Sequence, residues 1–233
     1  STATPELRAA VEETNDPLEP LNRYFFELNR FVDEIAFKPV AWWYRAALPD
    51  PVQDSVSNFL ANLRNPWTAI NDLAQGEFNR FFTTVVRFVV NSTLGVAGLF
   101  DPAASFGFAK HEEDAGQTFA VTLRASEGPY LVLPVFGPSN IRDTAGLIVD
   151  SLLDPVNIIA RGGLRGESSI PAIRSIVSGV DSRARNLDTI DQLQKSSVDF
   201  YATIRSVYRQ RRDNEISNGE SGGNFPSLNV FPQ

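Results

Sequence analysis

The chain holds a single histidine, His111, in the run His111-Glu112-Glu113-Asp114. Histidine beside carboxylates could ligate a metal or move a proton. A zinc site built on H-E-x-x-H needs a second histidine at defined spacing and then a third ligand, and no second histidine exists. The expectation is therefore a solvated loop histidine and no metal site. Cysteine is absent, which removes thiolate chemistry and disulfides. No phosphate-binding P-loop and no dinucleotide fingerprint occur. Asp143 and Asp150 could share a helix face, but Arg142 adjoins the first, and caps or ion pairs suit them better than acid–base work. The residues imply no cofactor and a protein that is not an enzyme.

The more informative residues are in the stretch Phe78–Phe100, FNRFFTTVVRFVVNSTLGVAGLF. It is aromatic and β-branched almost all round, yet it carries Asn79, Arg80, Arg87 and Asn91. A spanning helix needs about 20 mostly apolar residues, and an arginine near the bilayer centre costs roughly 2.5–3.5 kcal/mol on insertion scales. A surface helix of a soluble protein has a clean apolar stripe and a polar back. The stretch fits neither role and implies a protein lying in or against a membrane without a simple span. Formal net charge is −7 and the pI near 4.8. That balance excludes a basic footprint for nucleic acid and a polybasic patch for anionic lipid, so membrane contact must be apolar. Phe81, Phe82, Val85, Phe88 and Val89, with Trp42 and Trp43, are the candidate membrane-facing residues.

The elements that position these residues are helical. Leu18, Leu21, Phe25, Leu28, Val32 and Ile35 recur at spacings of three and four and define an apolar face. Asx-Pro pairs at Asp16-Pro17, Asp50-Pro51, Asn65-Pro66, Asp101-Pro102 and Asp154-Pro155 read as helix starts, because the side chain can cap free N–H groups and proline suits the first helical position. This reading predicts one helix over 51–63 and another over 66–75. Thr118–Leu123 and Tyr130–Phe136 read as short strands around Glu127-Gly128-Pro129. Ser151–Ile159 is an apolar run too short to span as a helix, and Pro155 would bend it into a hairpin of two short helices. Helical spacing returns over 171–212, and beyond Asp213 the composition turns to Asn, Gly, Ser and Glu. The expected organisation is a flexible segment 1–14, one helical domain 15–212 and a disordered polar tail 213–233.

Two motifs point further. One is Asn15-Asp16-Pro17-Leu18-Glu19-Pro20-Leu21-Asn22-Arg23, continuing through Asn29 and Lys38-Pro39-Val40. The other is Gly128-Pro129-Tyr130-Leu131-Val132-Leu133-Pro134-Val135-Phe136-Gly137-Pro138-Ser139, followed by Arg142-Asp143. Asn62-Leu63, Pro66, Gln75-Gly76, Arg87-Phe88 and Asn91-Ser92-Thr93 lie between them. Together they resemble the MlaA/VacJ family of outer-membrane lipoproteins over roughly residues 15–160.

The resemblance implies a mainly α, ring-like, single multi-helix domain lying in one membrane leaflet, to which the strand reading adds a very short β-hairpin near 118–136. It implies residence in the periplasmic leaflet of a Gram-negative outer membrane and association with a trimeric porin. The implied role is removal of mislocalised phospholipid from the outer leaflet through an amphipathic channel, for delivery to a periplasmic carrier. Leu152, Leu153, Val156, Ile158 and Ile159, with Arg142 and Asp143, become the candidate lipid and channel residues. The family's lipid-modified N-terminal cysteine has no counterpart here; a trimmed or replaced anchor is the expectation. An envelope scaffold that tethers porins and lipid carriers without a channel is the competing expectation.

Overall fold

The computed structural model describes residues 15–163 and 168–218. The first element is a long helical run in three parts: α1 (Glu19–Val32), a π-helical segment (Asp33–Phe37) and α2 (Lys38–Ala47). Pro39 does not break it, because it falls in the first turn of α2, where a missing N–H is cheap. Next comes α3 (Asp50–Gln75), closed by Gly76 in the left-handed region. The two helices expected over 51–63 and 66–75 are thus one. Pro66 sits inside α3, and the packing of Asn62, Asn65, Trp67 and Thr68 into the body overrides its usual cost of about 3 kcal/mol.

Helix α4 (Phe78–Thr93) packs antiparallel along α3. A tight turn follows, with Val96 and Ala97 at positive φ and Gly98 against the Asn62 side chain. The short α5 (Pro102–Ser105) and α6 (Ala115–Thr122) come next, then strands β1 (Tyr130–Leu133) and β2 (Gly137–Asn140). Thr118–Leu123 is therefore not a strand. The Asp114 side chain caps α6 through the Gln117 N–H at 2.8 Å, and the helix backbone meets Gly146 so closely that a Cβ there would lie 2.4 Å from the Gly116 nitrogen. The hairpin is built from 130–140, antiparallel with Tyr130 opposite Asn140 and Leu133 opposite Gly137.

Helices α7 (Ile141–Leu153), α8 (Pro155–Arg161), α9 (Ile170–Arg185), α10 (Leu187–Ser196) and α11 (Phe200–Ile216) complete the fold. Leu153 ends α7 and the Asp154 carboxylate caps α8 through the Val156 N–H at 2.8 Å, giving the bent helical hairpin read around Pro155. Helix α11 continues to Ile216; the segments 1–14 and 219–233 lie outside the described residues. The chain closes on itself: α9 packs on α2 and α3, and α11 packs on α6 and β2. Arg23 of α1 meets Asp199 at 2.5 Å, and Arg205 of α11 meets Asp16 at 2.5 Å.

One small apolar cluster, Phe26, Tyr130, Val132, Tyr201 and Ile204, forms where α1, β1 and α11 converge, and a second joins Ala41, Ala184 and Leu187. Two motif asparagines bind the first to the hairpin. Asn22 donates to the Tyr130 carbonyl and accepts from the Val132 N–H; Asn29 does the same with the Leu133 carbonyl and the Val135 N–H. One heptad apart on α1, the two amides act as a third edge for β1. The two motifs distant in sequence are thus one structural unit.

Candidate functional site

The polarity of the helices is inverted. On α1 the buried residues are Asn22, Phe26 and Asn29, whereas Leu18, Leu21, Leu28 and Ile35 of the expected apolar face are exposed. On α3 the interior side holds Gln53, Asn62, Asn65, Asn71 and Asp72, and Val52, Phe59, Ile70 and Leu73 lie outside. On α4 Thr84, Arg87 and Asn91 are inside, while Phe82, Val85, Phe88 and Val89 are exposed and Phe81 half-buried. Trp42 and Trp43 of α2 are also exposed, edge to face at 5.3 Å. Among the described residues, buried polar and charged groups outnumber buried apolar ones. Soluble domains show the reverse, because water already satisfies polar groups and expels apolar surface.

The interior is held by hydrogen-bonded ion pairs. Arg87 binds Asp101 at 2.7 Å and the Phe108 carbonyl at 2.5 Å, and Asn91 bonds Asp101 and the Ala103 N–H. These bonds fix the loop after α4. His111 is not solvated: its Nε2 lies 3.0 Å from the fully buried Asp72 carboxylate and 3.1 Å from the Thr84 hydroxyl. Glu113, next but one in the chain, bonds Arg80 at 2.6 Å and Gln75 at 2.9 Å. Burial pushes its carboxyl up, against the opposing bonds from Gln75 and the Arg80 charge. Among the described residues no group of metal-binding side chains converges.

A second cluster joins α3, the 110–114 loop, α7 and α11. Arg212 binds Asp114 at 2.6 Å, Asp143 at 2.8 Å and Glu215 at 3.0 Å. Asp143 also accepts from Tyr208, Asn140 and Arg142. Asp150 accepts from the Trp67 indole at 2.7 Å and the Ala115 N–H at 3.0 Å. Burial first, and the Asp114 charge second, push its carboxyl up to about 6. Arg64 and Glu112 complete the cluster with side chains 37% and 44% exposed. Burial is nonetheless the largest influence on the ionisation of both, with the Arg64 and Lys110 charges more than offsetting it at Glu112. The pair is thus crowded by protein charges while its side chains reach solvent.

The candidate residues of the hairpin divide accordingly. Leu152, Leu153 and Ile159 are exposed, Ile159 by 78%, and Val156 and Ile158 are half-buried. The bend is fixed by Arg174 of α9, which binds Asp154 at 2.7 Å and Asn157 at 3.3 Å. The hairpin packs through α8 against α3, the helix that carries Arg64 and Trp67. Arg142 and Asp143 lie at the other end of α7, inside the ion-paired cluster, and are not brought together with the hairpin leucines. Arg64 and Arg212 carried no signal for a site in the sequence, and Glu112 entered only as a neighbour of His111. Each is an ordinary helix or loop charge until the fold assembles them.

Fold and site define a helical body of inverted polarity: an apolar periphery, an ion-paired interior and an apolar helical hairpin beside it. No described helix is long and apolar enough to cross a membrane. The sequence profile of the MlaA lipoprotein family matches residues 14–215, and the chain belongs to that family. The "Intermembrane phospholipid transport system lipoprotein MlaA" of Escherichia coli K12 is 30% identical over 210 residues, covering 88% of this chain and 80% of that protein. An uncharacterized protein of Rickettsia bellii is 35% identical over 205 residues, covering 88% and 78%. A solved structure reported as "Structural basis for maintenance of bacterial outer membrane lipid asymmetry" superposes with a TM-score of 0.76. It is 32% identical, with 86% of this chain and 98% of that one covered.

Proposed function

We propose that this protein moves phospholipid between membranes as the outer-membrane component of a lipid-asymmetry system. It lies in the periplasmic leaflet with its apolar helix faces in the acyl region, and lipid leaves the outer leaflet along its polar interior. The carrying observation is the inverted polarity of α1, α3 and α4. An apolar exterior is stable only in an apolar solvent, and a closed set of hydrogen-bonded ion pairs is the way polar groups survive inside such a body.

The energetics require such a design. Exposing two acyl chains of about 30 CH₂ groups to water costs on the order of 20 kcal/mol. A protein that passes lipid must shield the tails and solvate the headgroup at the same time. The exposed Leu152, Leu153 and Ile159 supply an apolar track on α7 and α8. The partly exposed charged cluster around Arg64 and Glu112 supplies the polar one. A porin fits the role of lateral partner for the exposed aromatics of α2 and α4, and a periplasmic carrier that of acceptor.

Photoreactive residues at Phe82, Val89, Leu152 and Ile159 test the reading in native outer membranes. Phospholipid adducts at the hairpin positions, and lipid or porin adducts at the helix positions, are the expected result. A protein that stays soluble without detergent, purifies free of lipid and gives only water-quenched probes would overturn it.

A further inference from the structure

Several interior arginines of this protein are held in short hydrogen-bonded ion pairs. Arg87 has Asp101 and a carbonyl, Arg174 has Asp154 and Asn157, and Arg212 has three carboxylates. Arg64 differs. It donates no hydrogen bond within the described structure, and its sole ion pair is a loose 3.7 Å approach to Glu112. A charged hydrogen bond measures about 2.7–2.9 Å, so the five guanidinium donors are poised but unused. The other oxygen of the same carboxylate faces Lys110 Nζ at 3.4 Å. Glu112 therefore sits between two cations and holds neither tightly.

The other acids near Arg64 are already engaged. Asp114 is taken twice by Arg212, Asp150 by the Trp67 indole and the Ala115 N–H, and Glu215 by Arg211 and Arg212. Neighbouring residues of the loop point the opposite way: His111 and Glu113 are fixed in the buried network with Asp72, Arg80 and Gln75. The loop's extended alternation puts Lys110 and Glu112 on the accessible side. Arg64 lies one turn before Trp67 on α3, the helix against which the apolar hairpin packs. Cationic donors and apolar surface are thus placed side by side, as an amphiphilic anion requires.

We infer that Arg64 and Lys110 form a binding site for a phosphate diester, with Glu112 as a resident anion that the incoming phosphate displaces. A diester carries one negative charge and two free oxygens that match the guanidinium fork. Displacement of Glu112 keeps the two cations assembled in the empty site and keeps binding reversible, which a relay of lipid needs. The inference rests on the lipid-handling reading and adds the chemical group that the site recognises.

The test measures capture of phosphatidylglycerol and of diacylglycerol from mixed detergent micelles by the purified full chain, scored by mass spectrometry. Wild type should favour phosphatidylglycerol. Arg64→Gln should lower its capture about tenfold, the loss of one charge-assisted contact, and leave diacylglycerol unchanged. Glu112→Gln should raise phosphatidylglycerol capture, and millimolar inorganic phosphate should not compete. Competition by inorganic phosphate would mean a site for the free ion and overturn the diester assignment. Equal loss of both lipids in Arg64→Gln, or loss of neither, would overturn the inference while leaving lipid handling intact. Failure of the wild type to capture either lipid would defeat the underlying reading itself.

Discussion

Replacing Phe82 and Val89 together by serine tests the inverted polarity directly. Both are on the outer face of α4, 63% and 53% exposed, and both lie away from the buried Thr84, Arg87 and Asn91. Full burial of a large apolar side chain is worth about 1.5–3 kcal/mol. Scaled by the exposed fractions, the pair should contribute about 2–3 kcal/mol to membrane partitioning. That is a loss of about 30- to 150-fold in the partition coefficient. Co-flotation with neutral phosphatidylcholine vesicles reads this quantity, and the acidic balance of the chain means that salt should not change it. The melting temperature in detergent should stay near that of the wild type, since neither side chain supports the core. A loss below about threefold, with folding intact, would refute the placement of α4 against lipid. Wild-type vesicle binding that collapses in salt would refute the apolar mechanism.

The opposite perturbation, Asn22→Leu, adds apolar volume where a soluble protein would welcome it. It strands the buried Val132 N–H, weakens the Tyr130 carbonyl and removes a partner from Asp16, so thermal or denaturant unfolding in detergent should show a loss of about 2–6 kcal/mol. Gly146→Ala should cost about 1–3 kcal/mol by prying α6 from α7, because its Cβ would lie 2.4 Å from the Gly116 nitrogen; unchanged stability would mean that the helices are farther apart. Asp150 supplies a pH signature. Its folded pKa, pushed up to about 6, exceeds the ordinary 3.8, so the folded state binds the extra proton and this residue's contribution to stability falls as pH rises from about 4 to 6. Asp150→Asn keeps an oxygen for Trp67 and should gain up to about 3 kcal/mol over wild type across that window, whereas an advantage independent of pH would refute the assignment.

Much of the fold was legible because its signals are local. The aromatic density of 78–100, the bend at Pro155 and the Gly76 stop each depend on residues within one or two turns. The Asx-Pro rule worked at Asp101 and Asp154, where one carboxylate oxygen caps the helix and the other accepts from an arginine. It failed at Asp16 and Asn65. Asp16 is drawn into a buried site by Tyr201, Arg205 and Asn22, and Asn65 is absorbed into the middle of α3. Thr118–Leu123 read as a strand because its β-branched residues are locally ambiguous, and only the Asp114 cap and the glycine contact with α7 decide for helix.

The sequence by itself determined that the helices are amphipathic and that their apolar faces are too rich in aromatics for a simple span or a simple surface. Spacing alone identifies two faces and assigns neither to the interior, since periodicity carries no sign. Only the tertiary structure turned Asn22, Asn29, Asp72, Arg87 and Asn91 inward and left Leu21, Phe82 and Val89 outside. The physical reason is satisfaction. Each of these inward polar groups finds its partner on another segment: Asn22 and Asn29 reach β1 more than a hundred residues on, which only the closed fold brings near, and Arg87 and Asn91 reach Asp101 across the turn after α4.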